Sequence, residues 1–405
     1  MELKKYKLGD IAKIEISGVD KKSVDGETPV RLCNFVDVYR NWAITQKLSE
    51  NFMIASAKET EIAKCSIHKG KVAITKDSET RDDIGIPAYI ADDFDNVLLG
   101  YHCALITPND DVLDGKYLNA FMHTRYIQKY FENNASGSGQ RYTLSNETIF
   151  QIPILLPSLE VQKAIGNLLS NIDRKIELNR QINDNLEKMA KQLYDYWFVQ
   201  FDFPNENGRP YNSSGGAMVW NEKLKREIPK EWDNCTLEYY LIIKNGRDHK
   251  HLGNGIYPVY GSGGEIRKVD SFIYSGESIL MPRKGSLNNI MYVNDAFWSV
   301  DTMFYSEMKQ PHCSKYVFYS IKDIDFTRWD SGTGVPSMTS STLYSILLVK
   351  PDADSLAKFD EIITPLFLMI KKNEMQIVEL TKQRDDLLPL LMNGQASVNY
   401  HLSHD

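Results

Sequence analysis

Four polar loops hold the side chains of this chain best suited to chemistry. NGRDHKHLGNG (245–255) gathers Arg247, His249 and Lys250, and MPRKGS (281–286) places Arg283 and Lys284 directly after the apolar run SIL. TKDSETR (75–81) presents Lys76 and Arg81 after KVAI, and GSGQRY (137–142) presents Gln140 and Arg141 beside glycines. Ser262 in GSGG (261–264), with Arg328 and Thr333 around the SGTG turn (331–334), completes the set. Arginine and lysine donate to the guanine edge, glutamine and asparagine match the adenine edge, and Ser/Thr hydroxyls and backbone amides hold phosphates. One such loop is ordinary solvated surface. Several at related positions point to nucleic acid.

Catalysis has no comparable support. The chain has no GxxxxGK[ST] phosphate loop and no Asn-Pro-Pro-aromatic motif of an amino-methyltransferase. GSGG is either a tight surface turn or a close approach to a phosphate backbone. Asp301 with Glu307-Met308-Lys309 loosely imitates a nuclease D…ExK set, but the spacing is short and the stretch reads as a strand. His249 and His251 flank Lys250 without forming a metal-ligand pattern. The five cysteines (33, 65, 103, 235, 313) stand singly, with no CxxC pair, which predicts reduced thiols in a cytoplasmic protein and no metal. No run approaches the ~18 apolar residues of a membrane span, and the first residues, MELKKYKLGD, lack the apolar stretch of a signal peptide. The expected chemistry is binding, with no cofactor held by this chain.

These loops must be positioned by a frame, and the frame is written twice. IELNRQINDNL (176–186) and IKKNEMQIVEL (370–380) lie 194 residues apart and match at isoleucine, asparagine and leucine. Steps of four and three from Ile165 to Trp197, and from Phe359 to Leu391, are mostly apolar, the 3.5-residue seam of a coiled coil. Upstream, SGSGQRYTLSNETIFQIPILLP (136–157) resembles SGTGVPSMTSSTLYSILLVKP (331–351), and KYKLGDIAKI (5–14) faces DNCTLEYYLI (233–242). The repeat unit is a mixed α/β domain followed by a long helix, and the first domain is about 35 residues longer.

The expected boundaries are a first domain at 1–157, a helix at 158–202, a linker at 203–234, a second domain at 235–351, a second helix at 352–394 and a tail at 395–405. Ser158 caps the first helix after Pro157. Thr364-Pro365 reads as N-cap and N1 of the second, predicting a short helix near 354–363, a bend and then the long helix. Pro389 should disturb its last turns before Asn393-Gly394 ends it. The second helix must run back along the first to bury its seam. The fold class is therefore α+β: two mixed α/β domains separated by an antiparallel two-helix coiled coil, with a pseudo-twofold internal repeat. A polar residue in a seam fixes register at some cost in stability. Asn179 and Asn373 either pair across the seam or lie solvated at its edge.

Net charge is −7, so the chain is no polycation; residues 241–350 carry +2 and residues 1–157 carry −3. Any contact with DNA must come from local clusters or with the help of a basic partner.

The layout resembles the specificity (S) subunit of type I restriction-modification systems along essentially the whole chain. The resemblance rests on QIPILLPSLEVQKAIGNLLSNID before the first helix, IVELTKQRDDLLPLLMNGQASV ending the second, FDFPNENGRPYNSSGGAMVW and IPKEW between them, and YGSGGEIRKVDSFIYSGESILMPRKG in the second domain. It implies that the α/β units are target recognition domains, each reading half of an asymmetric bipartite site on double-stranded DNA. It implies that the helices set the spacer and dock two modification (M) subunits. Those M subunits carry S-adenosylmethionine and the methyl-transfer chemistry, and restriction (R) subunits join them. A seam of 33 residues spans ~50 Å at about 1.5 Å per residue, against ~34–36 Å for a DNA turn. The other reading is a coiled-coil scaffold whose end domains bind proteins.

Overall fold

The computed structural model describes residues 2–139, 141–329 and 337–398, and these form two compact units. Unit one is Met1–Arg180 with Glu374–Asp405, and unit two is Gln181–Asn373. Each unit therefore takes a segment from both long helices.

In unit one, VAIT at Val72–Thr75 is buried along its whole length, as an apolar run inside a covered sheet must be. It lies in a five-stranded sheet between Cys103–Pro108 and Pro87–Ile90, with Ala12–Ile16 and Ala43–Ile44 at the edges. A second sheet joins Met53–Ala57, Thr28–Cys33 and Val97–Leu99, and a third joins Ser136–Ser138, Arg141–Thr143 and Asp77–Ser78. Lys4–Lys7 pairs antiparallel with Pro153–Leu156. The core that packs Leu8, Ile74, Ile106 and Tyr117 also takes Ile165 and Leu169 of the first long helix (Leu159–Tyr194). Leu388, Leu391 and Met392 of the second (Ala353–Met392) complete it. The last turns of the second long helix are thus part of the first domain's core.

Unit two has a six-stranded sheet in the order Leu241–Asn245, Met303–Met308, Tyr274–Pro282, Met291–Ser299, Asn254–Gly261 and Gly264–Val269. Asp233–Thr236 pairs with Leu347–Lys350. Its core is aromatic: Trp197, Phe198, Phe201, Phe203, Trp232, Tyr316 and Phe359 are all buried together. The first long helix passes into a π-helical turn at Asp195–Val199, which buries Trp197 and Phe198. The segment expected to be a linker carries a hairpin, Met218–Asn221 with Arg226–Pro229, and its Ile228 enters this core.

Backbone hydrogen bonds correspond between the two units. Leu8 N donates to Ile152 O, and Leu237 N to Ile346 O; Asn109 N donates to Ile11 O, and Lys309 N to Tyr240 O. The distance in sequence between matched residues falls from 229 at Leu8 and Leu237 to 194 at Ile152 and Ile346. The additional length of the first domain therefore lies between its first and last strands.

Two helix expectations are corrected. Ala353–Met392 is one continuous helix, not a short helix followed by a long one, and it breaks neither at Pro365 nor at Pro389. An interior proline costs about 3 kcal/mol. Here Phe359 and Ile363 are fully buried before Pro365, and Leu366 and Phe367 pack on the same core after it, so tertiary burial outweighs that cost. The helix does end where expected: Gln395 N and Ala396 N donate to Leu390 O, and Gly394 takes a φ of +70°.

The register asparagines have other partners than each other. Asn373 Nδ2 donates to Asn183 Oδ1 at 2.8 Å, and Asn183 Nδ2 donates to Ile370 O at 3.3 Å. In unit one, Asn179 Nδ2 donates to Gln376 Oε1 at 3.2 Å. Facing seam layers sit one helical step from those assumed, so the polar pair in the seam is buried Asn183 with half-buried Asn373. Within each unit the partners rise along one helix and fall along the other, so the pair is antiparallel: Asp173 meets Arg384 in unit one, and Trp197 meets Phe359 in unit two.

Candidate DNA-reading loops

One short turn organises the candidate loops of the second domain. Arg283 N and Lys284 N both donate to Thr302 O, at 2.8 and 3.2 Å. Arg247 N donates to Ser299 O at 2.8 Å, and Val300 N to Tyr260 O at 3.1 Å. The turn Val300–Thr302 thereby brings together the loops that carry Arg247, Ser262, Arg283 and Lys284. Close approach explains two glycines: a Cβ on Gly246 would fall 2.0 Å from Val300 O, and one on Gly285 would fall 2.8 Å from Ser262 Oγ. Arg247, Lys250, Arg283 and Lys284 are exposed.

The remaining second-domain residues are placed differently. His249 is occupied: its Nδ1 accepts from Arg267 Nε at 3.1 Å, and its carbonyl accepts from Arg267 Nη2. Arg267 also holds Leu252 O, so it ties down the loop 249–252. Trp298 Nε1 donates to Arg247 O at 2.9 Å and fixes that residue's backbone. Arg328 pairs with Asp325 at 3.0 Å on a separate turn, which Asn288 joins to the loop after Gly285. Ser262 and Gly263 form a two-residue turn between paired strands, the tight-turn reading of GSGG. The nuclease-like trio does not converge: Glu307 pairs with Lys244, and Lys309 Nζ donates to Glu238 O.

The first domain uses the same device. Lys76 N donates to His102 O at 2.7 Å, and Leu144 N to Lys76 O, matching Arg283 N to Thr302 O and Met338 N to Arg283 O in the second domain. Arg141 Nη2 lies 3.3 Å from Asp77 Oδ2 and 2.6 Å from His102 Nδ1, and His102 Nδ1 lies 2.5 Å from the same carboxylate oxygen. Burial alone would raise the Asp77 pKa. Hydrogen bonds from Thr143 and His102 and the charge of Arg141 outweigh it and hold the carboxyl below its usual range. Arg81 stacks over the Tyr142 ring, 5.0 Å from its centre. Gln140 and Thr333 lie outside the described residues.

Asp77, His102 and Arg267 hold the candidate loops in place, and sequence reasoning missed them. Asp77 stood inside a quoted loop but gave no signal, because its partners lie 25 and 64 positions away. Among the described residues, no group of three His, Cys, Asp or Glu side chains is placed to hold a metal, and no helix is long and apolar enough to cross a membrane.

The model of the type I restriction modification DNA specificity domain family matches residues 1–188. The chain is 26% identical over 372 residues to the type I restriction enzyme MjaIX specificity subunit of Methanocaldococcus jannaschii, covering 84% of this chain and 81% of that protein. It is 31% identical over 141 residues to the HindI specificity subunit of Haemophilus influenzae, covering 35% and 30%. In fold it resembles the crystal structure of a type I restriction-modification S subunit from M. genitalium, with a TM-score of 0.62, 16% identity and 96% of each chain covered.

Proposed function

We propose that this chain acts as a specificity subunit of a type I restriction-modification system, and that its two domains divide the work on DNA. Each α/β domain reads one half of an asymmetric bipartite site, and the two long helices set the spacing between the halves. The observation that carries this reading is the matched turn in each domain. The same backbone bonds hold Lys76 on His102 and Arg283 on Thr302, so each domain presents cationic side chains from an equivalent place in its frame. A protein-binding scaffold has no need of such paired cationic turns.

The helices also dock partner subunits, two methyltransferase subunits to which restriction subunits are added. Support comes from apolar side chains left outside the seam. Leu178 and Ile182 of the first helix are 46% and 42% exposed, and Met375 and Val378 of the second are each 66% exposed. Four- and three-residue spacing puts each pair on one helix face, and a stripe of this kind marks an interaction site.

The chain itself is a non-catalytic cytoplasmic subunit, and S-adenosylmethionine belongs to the methyltransferase partner. Purified alone, it neither binds S-adenosylmethionine in calorimetry nor methylates or cleaves DNA. Combined with the methyltransferase subunits, it directs methylation to one bipartite sequence. Methyl transfer or cleavage that stays with the isolated polypeptide through removal of other proteins would overturn the non-catalytic assignment.

A further inference from the structure

We infer that Arg141 reads a guanine in the major groove for the first domain, and that Asp77 and His102 are the residues that position it; this rests on the DNA-reading function proposed above. Arg141 opens the strand Arg141–Thr143, which pairs with Asp77–Ser78 so that Thr143 lies opposite Asp77. Exposure is graded outward from the anchor. The Asp77 side chain is 16% exposed, His102 is 31% and Arg141 is 58%. All three contacts, to Asp77 Oδ2 and to both ring nitrogens of His102, use the single nitrogen Nη2. Among the described residues, nothing else engages Nε or Nη1. A largely exposed arginine pinned at one nitrogen, with its further donors unengaged, suits the paired O6 and N7 acceptors of guanine, since little freedom remains to be lost on contact.

The surroundings separate this role from phosphate binding. Asp77, Glu79 and Asp83 line a cleft of about 520 Å³ with Phe35, Tyr39 and Arg141. Tyr39 Oη donates to Asp83 at 2.7 Å and fixes that carboxylate at the rim. Carboxylates this close to Arg141 disfavour a phosphate beside it, so its free donors are left for an uncharged acceptor edge. Arg81, stacked on Tyr142 with no described carboxylate partner, has the placement of a phosphate contact instead.

The test is selection from a randomised double-stranded DNA library by the full-length chain in complex with its methyltransferase subunits. Wild type is compared with Arg141→Gln, Arg141→Lys and Asp77→Asn. Arg141 is exposed, so its variants fold as wild type, and a melting curve checks this. The expected wild-type site has a guanine in one half whose selection over other bases falls about tenfold to a hundredfold in Arg141→Gln. Asp77→Asn relaxes the same position to a smaller degree, and Arg141→Lys, which keeps the charge but not the paired donors, also relaxes it. The second half-site stays unchanged in all three. A uniform loss of affinity with every base preference kept and a shallower salt dependence would make Arg141 a phosphate contact and overturn the inference, leaving the function standing. A wild-type site without guanine in either half would also overturn it. A wild-type complex that selects no sequence would overturn the proposed function and this inference together.

Discussion

Phe359→Ala is expected to destabilise unit two by about 3–5 kcal/mol, the usual result of emptying a fully buried aromatic site. Phe359 is 0% exposed. Its ring meets Phe198 edge-on at 4.8 Å and lies 5.8 Å from Trp197, while Phe198 in turn meets Tyr316 at 4.6 Å. The contact joins the second long helix, the π-turn and the α/β domain in one core, and the Tyr316 hydroxyl donates onward to Val349 O. Rigid rings close such a cavity poorly. Denaturant unfolding followed at the tryptophans should show a lower midpoint with an unchanged slope. A loss below about 1 kcal/mol would mean that the helix is not anchored by this cluster.

Lys315→Met should be of similar size for a different reason. The Lys315 side chain is 4% exposed and its Nζ bridges Glu277 at 2.6 Å and Asp360 at 2.8 Å. Removing the cation leaves two partly buried carboxylates uncompensated, which costs about 3–5 kcal/mol at neutral pH. In the native protein, burial pushes both carboxyls up. Lys315, helped by Tyr292 at Glu277 and by His312 at Asp360, more than reverses this, and both are held below their ordinary values of 4.5 and 3.8. Their stabilising contribution is therefore fully present above those values and is lost below them, as pH falls through the lowered values of the native state. In the variant the carboxyls take up protons more readily, so its deficit relative to wild type should narrow as pH falls from neutral to below 4.5. A deficit that stays constant or widens on acidification would show that the network is not electrostatic in origin.

What could be read in the sequence was what local periodicity encodes. The seam and the helix end at Asn393-Gly394 depend on neighbours a few residues apart, and the structure has both. Pro365 misled because its local cost is visible in sequence, whereas the burial of Phe359 and Ile363 that offsets it is not. The stretch from Phe203 to Asn234 reads as turn chemistry, yet Ile228 and Trp232 belong to a core assembled from distant segments. Asn179 and Asn373 were matched by repeat position, but an antiparallel seam pairs layers by facing, and Asn183 faces Asn373. In the candidate loops, exposed cations were legible by type. The groups that fix them, Asp77, His102, Arg267 and the Thr302 carbonyl, were not, because tertiary folding alone brings them near.

The central claim, that each α/β domain reads its own half of one DNA site, is tested most directly by exchanging a domain. Residues 235–351 are replaced by the second recognition domain of another family member, both long helices are retained, and methylated positions are mapped across a genome that carries the partner methyltransferase. The account predicts that one half of the methylated sequence changes to that of the donor, while the other half and the spacer length stay as in wild type. A folded, active chimera in which both halves change, or neither does, would contradict it.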